Sequence, residues 1–234
     1  MNIGILEADH LSEGVRERFG TYSEMFQRLL RSVYNQFVFQ TYPVIDCEYP
    51  DSLDSCDAYL ITGSKASAYE DLLWIKGLQD YVITLDAHKK KLIGICFGHQ
   101  IIAQALGGKV QKSGKGWGVG AASVSVFKHE PWIDTPDDHF QLLVSHQDQV
   151  IQLPPKAERI AGNDFCPNAS YQIGEHILTF QGHPEFSPDY LKYLIEGRRE
   201  SIGTPQAEKA LDSLQQKTDH LRIARWIVAF LKQS

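Results

Sequence analysis

The feature that most constrains this chain is a series of short, wholly apolar runs separated by helix-patterned stretches. Ile3-Gly4-Ile5-Leu6, Phe37-Val38-Phe39, Ala58-Tyr59-Leu60-Ile61-Thr62 and Leu92-Ile93-Gly94-Ile95 show no polar alternation. A strand without alternation is covered on both faces, which is the condition of a parallel sheet between helix layers. The intervening segments agree. Tyr22, Met25, Phe26, Leu29, Leu30 and Val33 fall at helical spacing, as do Leu78, Val82 and Leu85 within Leu72–His88; a further helix is expected over Gln100–Leu106.

The second half changes character. Val119–Phe127, Phe140–Val144 and His176–Phe180 read as strands, with turns marked by Pro154-Pro155 and Pro167. Antiparallel pairing is expected there, so the sheet as a whole is mixed. From Ser187 the pattern is helical to the end, broken near Gly203-Thr204-Pro205. The expected architecture is one α/β domain of three layers, doubly wound, with a mostly parallel mixed central sheet. Its core spans about residues 1–190, and residues 191–234 form a helical extension carrying Leu211, Leu214, Leu221, Ile227, Phe230 and Leu231. These side chains suit packing back on the domain or a homo-oligomer surface.

Composition removes several function classes. A net charge of −6 lacks the basic footprint that nucleic acid demands. No run reaches the roughly 18 apolar residues of a membrane span, and Met1–Asp9 reads as a buried strand rather than a leader. Cys47, Cys56, Cys96 and Cys166 are too scattered for a zinc site or redox pair and suit a reducing, cytoplasmic setting. His139 and His146 with Asp137 and Asp138 have no metal-ligand spacing, so neither a metal nor a cofactor is expected.

Chemistry concentrates at Gly94-Ile95-Cys96-Phe97-Gly98-His99-Gln100, where an apolar strand gives way to a helix. Glycines two before and two after a nucleophile permit the sharp, strained turn of a nucleophile elbow. A helix N-terminus beside Cys96 favours a thiolate and aims N–H groups at a developing oxyanion. A buried core cysteine is the commoner fate of this residue type, and the flanking glycines argue against it here. Downstream, Gln181-Gly182-His183-Pro184-Glu185 follows a strand. His183 suits a general base, with Glu185 two residues on to orient its ring.

The two motifs together, in this order, resemble the class I (triad) glutamine amidotransferases, over at least residues 3–190. Ile61-Thr62-Gly63-Ser64 resembles the family's oxyanion loop. Ser145-His146-Gln147-Asp148-Gln149-Val150 resembles a segment of GMP synthase glutaminase domains and their stand-alone relatives. The resemblance implies a flavodoxin-like fold and hydrolysis of a glutamine γ-amide through a Cys96 thioester. Cys96, His183 and Glu185 would be catalytic, and the N–H groups of Gly63 and Phe97 would form the oxyanion hole. Gln100, Ser145 and His146 would lie near the amino-acid end of the substrate.

The stretch from Glu185 to Ser234 leaves no room for an ATP-dependent synthase domain, so ammonia would pass to a separate synthase subunit. His99, with Lys115-Gly116-Trp117, points instead to the stand-alone branch that includes γ-glutamyl peptidases, in which an amino acid or peptide leaves in place of ammonia. A non-catalytic binding relative is the reading from another class; the intact Cys96, His183 and Glu185 argue against it. Lys112–Gly120 is glycine-rich but fits no nucleotide fingerprint and suits a loop or strand lining the pocket. His99 suits a structural or pocket-wall role, and Arg198-Arg199 with Glu196 and Glu200 reads as a solvated helix face.

Overall fold

A computed structural model describes residues 1–135 and 137–233. In chain order the elements are β1 (Asn2–Leu6), α1 (Glu13–Phe19), α2 (Tyr22–Val33), β2 (Val38–Tyr42), β3 (Ala58–Ile61), α3 (Leu73–Ala87), β4 (Lys91–Ile95) and α4 (Phe97–Ala105). There follow β5 (Lys109–Lys112), β6 (Gly118–Val126), β7 (His139–His146), β8 (Asp148–Gln152), β9 (Ala157–Gly162), β10 (Ser170–Ile173) and β11 (Ile177–Phe180). The chain closes with α5 (Pro188–Gly197), α6 (Arg199–Ile202), α7 (Thr204–Ser213) and α8 (His220–Leu231).

Nine strands form one mixed sheet in the order β2-β1-β3-β4-β11-β10-β9-β6-β7. The pairs from β2 to β11 are parallel and those from β11 to β7 antiparallel. The parallel half alternates its side chains between two helix layers. Ile3, Ile5, Leu60, Ile93 and Ile95 face α2 and α8, where Phe26, Trp226 and Phe230 are fully buried. Tyr59, Ile61 and Leu92 face α3 and α4. Both faces of the inner strands β1, β3, β4 and β11 are thus dry, which is why these runs carry no polar alternation, whereas the edge strand β2 exposes Val38, Gln40 and Thr41. The terminal helix α8 covers the sheet beside α2, and Ile223, Ile227 and Leu231 are buried there. A smaller cluster joins α1 and the start of α2 to α5, α6 and α7.

Local chemistry sets several boundaries. Thr21 and Glu24 form a reciprocal capping box that starts α2. The elbow helix begins at Phe97, three residues earlier than its apolar periodicity suggests. Gly98 belongs to its first turn and packs on β3, a contact that leaves no periodic signal. Five elements go unread in the sequence. Helix α1 buries only Val15, β5 and β8 form a separate two-stranded sheet, β9 exposes Glu158 and Arg159 near its start, and β10 is only four residues long.

Helix α4 is pinned through His99, which is fully buried. Thr179 on β11 gives its hydroxyl proton to the Tyr171 carbonyl, so Thr179 Oγ1 accepts from His99 Nδ1 at 2.8 Å. The Tyr171 hydroxyl donates in turn to the His99 carbonyl at 2.7 Å. Burial, with nearby His146 a lesser cause, holds the His99 pKa down to about 3. Between that value and the ordinary 6.5 the unfolded chain binds the proton and the fold does not, so stability falls as pH falls through this window. Going from pH 7 to pH 5, His99 is expected to cost the fold about 2 kcal/mol. Chemical denaturation of wild type and His99→Asn at both pH values checks this. The variant's loss of stability on acidification should be smaller by that amount, and parallel losses would contradict the assignment.

Candidate active site

The C-terminal ends of three adjacent parallel strands converge on one crevice, as ligand sites in open α/β sheets do. Ile61 of β3 is in register with Gly94 of β4, and Ile95 with Phe180 of β11. Gly63, Cys96 and His183 therefore all lie within three residues of neighbouring strand ends.

Cys96 is the turn itself. Its backbone has φ 53° and ψ −101°, and its N–H donates to the Phe180 carbonyl at 2.8 Å. A non-glycine residue at positive φ is strained, and such strain collects where a side chain must be held in an otherwise unfavourable position. The flanking glycines make room for the turn. A Cβ on Gly98 would lie 2.4 Å from the Ile61 carbonyl oxygen, and one on Gly94 would lie 2.7 Å from the Gly98 backbone. The sulfur stands at the N-terminus of α4, where partial positive charge gathers. Cys47, Cys56 and Cys166 are also free thiols; Cys47 shares a positive φ of 62° but closes a short 3-10 turn, and none of the three joins a strand to a helix N-terminus.

His183 faces Cys96 from the end of β11. A short antiparallel bridge to Leu143, with His183 N–H donating to the Leu143 carbonyl at 2.8 Å, fixes its backbone. Its ring stacks on Phe186 at 3.7 Å with an 8° tilt, and its Nδ1 donates to Glu185 Oε1 at 2.7 Å. The Glu185 side chain is wholly buried. Burial alone would drive the His183 pKa down. The charges of Glu185 and Cys96, with their hydrogen bonds to the ring, outweigh it and hold His183 above its ordinary value. His183 is thereby held in its charged form beside the Cys96 sulfur.

Gly63 closes the other side. A Cβ there would lie 3.0 Å from His183 Cε1 and 3.8 Å from Cys96 Cβ. Among the described residues, the backbone N–H groups of Gly63 and Phe97 donate to nothing, whereas Gly98 N–H is committed to the Thr62 carbonyl at 3.2 Å. Two free donors beside the sulfur are what an oxyanion needs.

Beside Cys96 lies a cleft of about 200 Å³ lined by Ser64, Lys65, Gln100, Ser145, His146 and Arg198 among others. Gln100 is in it, but its Nε2 donates to the Asp148 carbonyl at 2.8 Å and Gln181 Oε1 at 3.0 Å, so this amide braces the walls. His146 is buried, and its Nδ1 donates to the Asp148 carbonyl at 3.0 Å. Burial drives its pKa down to about 4, and the charge of His183 adds to the effect. Ser145 Oγ accepts from Arg198 Nη1 at 2.9 Å. The glycine-rich loop contributes Trp117, which turns in after Gly116 (φ 80°) and donates from Nε1 to the Ser201 carbonyl at 3.0 Å.

Arg198 and Asp148 of this cleft escape the sequence reading as binding residues, as does the run Lys65-Ala66-Ser67 after the Gly63 loop. Arg198 is half-buried against the site rather than on a solvated helix face, because the ten-residue α5 starts just after Glu185 and returns its far end over Ser145. The signal was the helix length after a site motif. Asp148 also lines the cleft, although the sequence marks it only as part of the Ser145–Val150 segment. His139 and His146 stand at opposite ends of β7, about 20 Å apart for an extended strand. No group of metal-ligating side chains occurs among the described residues. No described helix is long and apolar enough to cross a membrane.

Comparison with known proteins identifies the family. The family model for class-I glutamine amidotransferases matches residues 20–195. Gamma-glutamyl peptidase 2 of Arabidopsis thaliana is 31% identical, with 97% of this chain and 94% of that protein aligned. Gamma-glutamyl peptidase 3 of the same plant is 33% identical over 79% of this chain and 77% of its own length. In three dimensions, a glutamine amidotransferase from Thermotoga maritima superposes over 99% of both chains with a TM-score of 0.79 at 18% identity. With the family model covering most of the chain and its site-bearing segments, the protein belongs to the class-I glutamine amidotransferase family.

Proposed function

We propose that this protein is a hydrolase of γ-glutamyl amide bonds that works through a thioester on Cys96. The observation that carries this reading is the conjunction at one sheet edge: Cys96 on a strained elbow, His183 bonded to buried Glu185, and two unengaged N–H groups at Gly63 and Phe97. The thiolate attacks the γ-carbonyl carbon, and the carbonyl electron pair moves onto oxygen, where Gly63 and Phe97 donate to it. The tetrahedral species collapses with cleavage of the C–N bond, and the His183 imidazolium gives its proton to the departing amine. His183, now neutral, takes a proton from water as the water attacks the thioester. The C–S bond breaks with its electron pair returning to sulfur, which restores the ion pair, and the new γ-carboxyl group gives its remaining proton to solvent. Glu185 holds the ring with Nε2 toward sulfur and offsets the imidazolium charge.

The relatives named γ-glutamyl peptidases, one of them aligned along nearly the whole chain, favour a leaving amino acid or peptide over ammonia. Release of ammonia from glutamine for a separate synthase subunit uses the same steps and is the other outcome of the assay.

Purified protein offered L-glutamine and a panel of γ-glutamyl dipeptides is expected to release the amino acid from the dipeptides at the higher kcat/KM. Cys96→Ala should lower turnover by at least ~10³-fold with an unchanged unfolding midpoint, since removal of a nucleophile leaves only binding and oxyanion stabilisation. Retained turnover in that variant would rule the mechanism out. Glu185→Gln keeps the shape and removes the charge. It should lower kcat by on the order of 10²–10⁴-fold with little change in KM, as measured by steady-state kinetics on the best substrate.

A further inference from the structure

The charges in the Cys96 cleft do not cancel among themselves, and the two left over have opposite sign. Lys65 has a partner: its Nζ lies 3.0 Å from Asp9 Oδ1, and the Lys65 N–H also donates to Asp9 Oδ2 at 3.1 Å. Arg198 has no carboxylate within ion-pair distance among the described residues. Its neighbours along the chain are engaged elsewhere, Glu196 with Lys192 and Arg199 with Glu208. Its guanidinium is held in place from two sides, by the bond to Ser145 Oγ and by the Trp117 ring, whose centroid is 5.8 Å away. Asp148 forms no ion pair either; its Oδ1 accepts only from the Tyr69 hydroxyl, at 3.2 Å. Both side chains line the cleft that contains Cys96.

We infer that Arg198 and Asp148 together read the free zwitterionic end of the substrate, Arg198 taking the α-carboxylate and Asp148 the α-ammonium group. The inference rests on the γ-glutamyl reading above and narrows it. A guanidinium presents a planar pair of donors matched to a carboxylate, and Ser145 uses only one of its nitrogens. A substrate lacking either charge would leave its partner desolvated and uncompensated in the cleft, which is how a polar site rejects an analogue. The substrate class is therefore free glutamine or a compound with an N-terminal γ-glutamyl group. A glutamine residue inside a polypeptide, whose α-amino and α-carboxyl groups are both in peptide bonds, is excluded.

The test removes charges from both sides. Wild type is assayed on a γ-glutamyl dipeptide, on its 4-aminobutyryl counterpart, which lacks the α-carboxylate, and on its glutaryl counterpart, which lacks the α-amino group. Each deletion should lower kcat/KM by about 10- to 100-fold, the range of a hydrogen-bonded charge pair. Arg198→Gln should lose a similar factor on the γ-glutamyl dipeptide, mainly through KM, yet lose little further on the 4-aminobutyryl one. Asp148→Asn should show the same pattern with the glutaryl substrate, and Arg198→Lys should recover part of the loss. A residue that merely braced the loop would lower all three substrates alike, and that result would overturn the inference.

Calorimetric binding of L-glutamate to Cys96→Ala supplies a readout independent of turnover. Binding that is lost in Cys96→Ala/Arg198→Gln supports the zwitterion site even if no γ-glutamyl substrate is hydrolysed, in which case the function proposal alone falls. Binding that survives the second substitution, or no binding of glutamate to Cys96→Ala, overturns the site.

Discussion

The site depends on one backbone contact, the approach of Gly98 to the end of β3. Helix α4 must start close enough to that strand for Gly98 N–H to reach the Thr62 carbonyl, and any Cβ would collide with Ile61 O. This contact forces the chain to turn within a single residue, and Cys96 absorbs the turn at positive φ. Everything else is arranged around the sulfur so fixed. Gly63 is the next residue but one after Ile61, so the loop that closes on Cys96 and His183 hangs from the strand that Gly98 touches. The hydrophobic layers on either side hold β3, β4 and β11 in register and so resist relaxation of the strained residue.

Three buried histidines surround this point, and their surroundings drive their charges apart. His183 has a buried carboxylate on one nitrogen and a thiol facing it, so its protonated form is stabilised. His146 and His99 have only neutral oxygen partners, the Asp148 carbonyl and the Thr179 hydroxyl, and burial keeps them uncharged. The separation reinforces itself, since charge on His183 is one cause of the fall at His146. Glu185 thus does more than orient a ring. It selects which imidazole near the cleft holds a proton.

The parallel half of the fold is legible because its inner strands are buried on both faces, and such burial writes itself as uninterrupted apolar runs. The antiparallel half is partly legible: β6 and β7 alternate, whereas β9 exposes Glu158 and Arg159 and begins like a loop. The elbow and the His183–Glu185 turn stand out because their spacing is local to a few residues. Arg198 does not, because its relation to Ser145 is created by α5 folding back across 53 positions of sequence. A charged residue between Gly197 and Arg199 has no local mark that separates a cleft wall from a solvated face. Gln100 teaches the converse. Its place on the elbow helix suggests contact with substrate, yet its amide is already spent on the Asp148 carbonyl and Gln181.

The family match ends at residue 195, and this boundary falls within the cleft. Cys96, His183, Glu185, Gly63 and Phe97 all lie inside it, on the sheet edge and the turns that any member with this elbow needs. Arg198 lies just outside, on the helical segment that begins with α5. That segment is tied to the cleft by its own contacts: Trp117 Nε1 to the Ser201 carbonyl, Gln206 to the Trp117 carbonyl, and Arg198 to Ser145. The groups proposed for bond breaking and the guanidinium proposed to read the α-carboxylate therefore sit on different supports, whereas Asp148, at the start of β8, shares the matched segment. The first are locked into the sheet, where displacement would cost core packing. Arg198 stands between short helices at the rim of the sheet, where the residue facing the cleft can change without disturbing the elbow. Divergence in how a member of this family meets the α-carboxylate end is then expected to concentrate after α5 begins, apart from the elbow that carries Cys96.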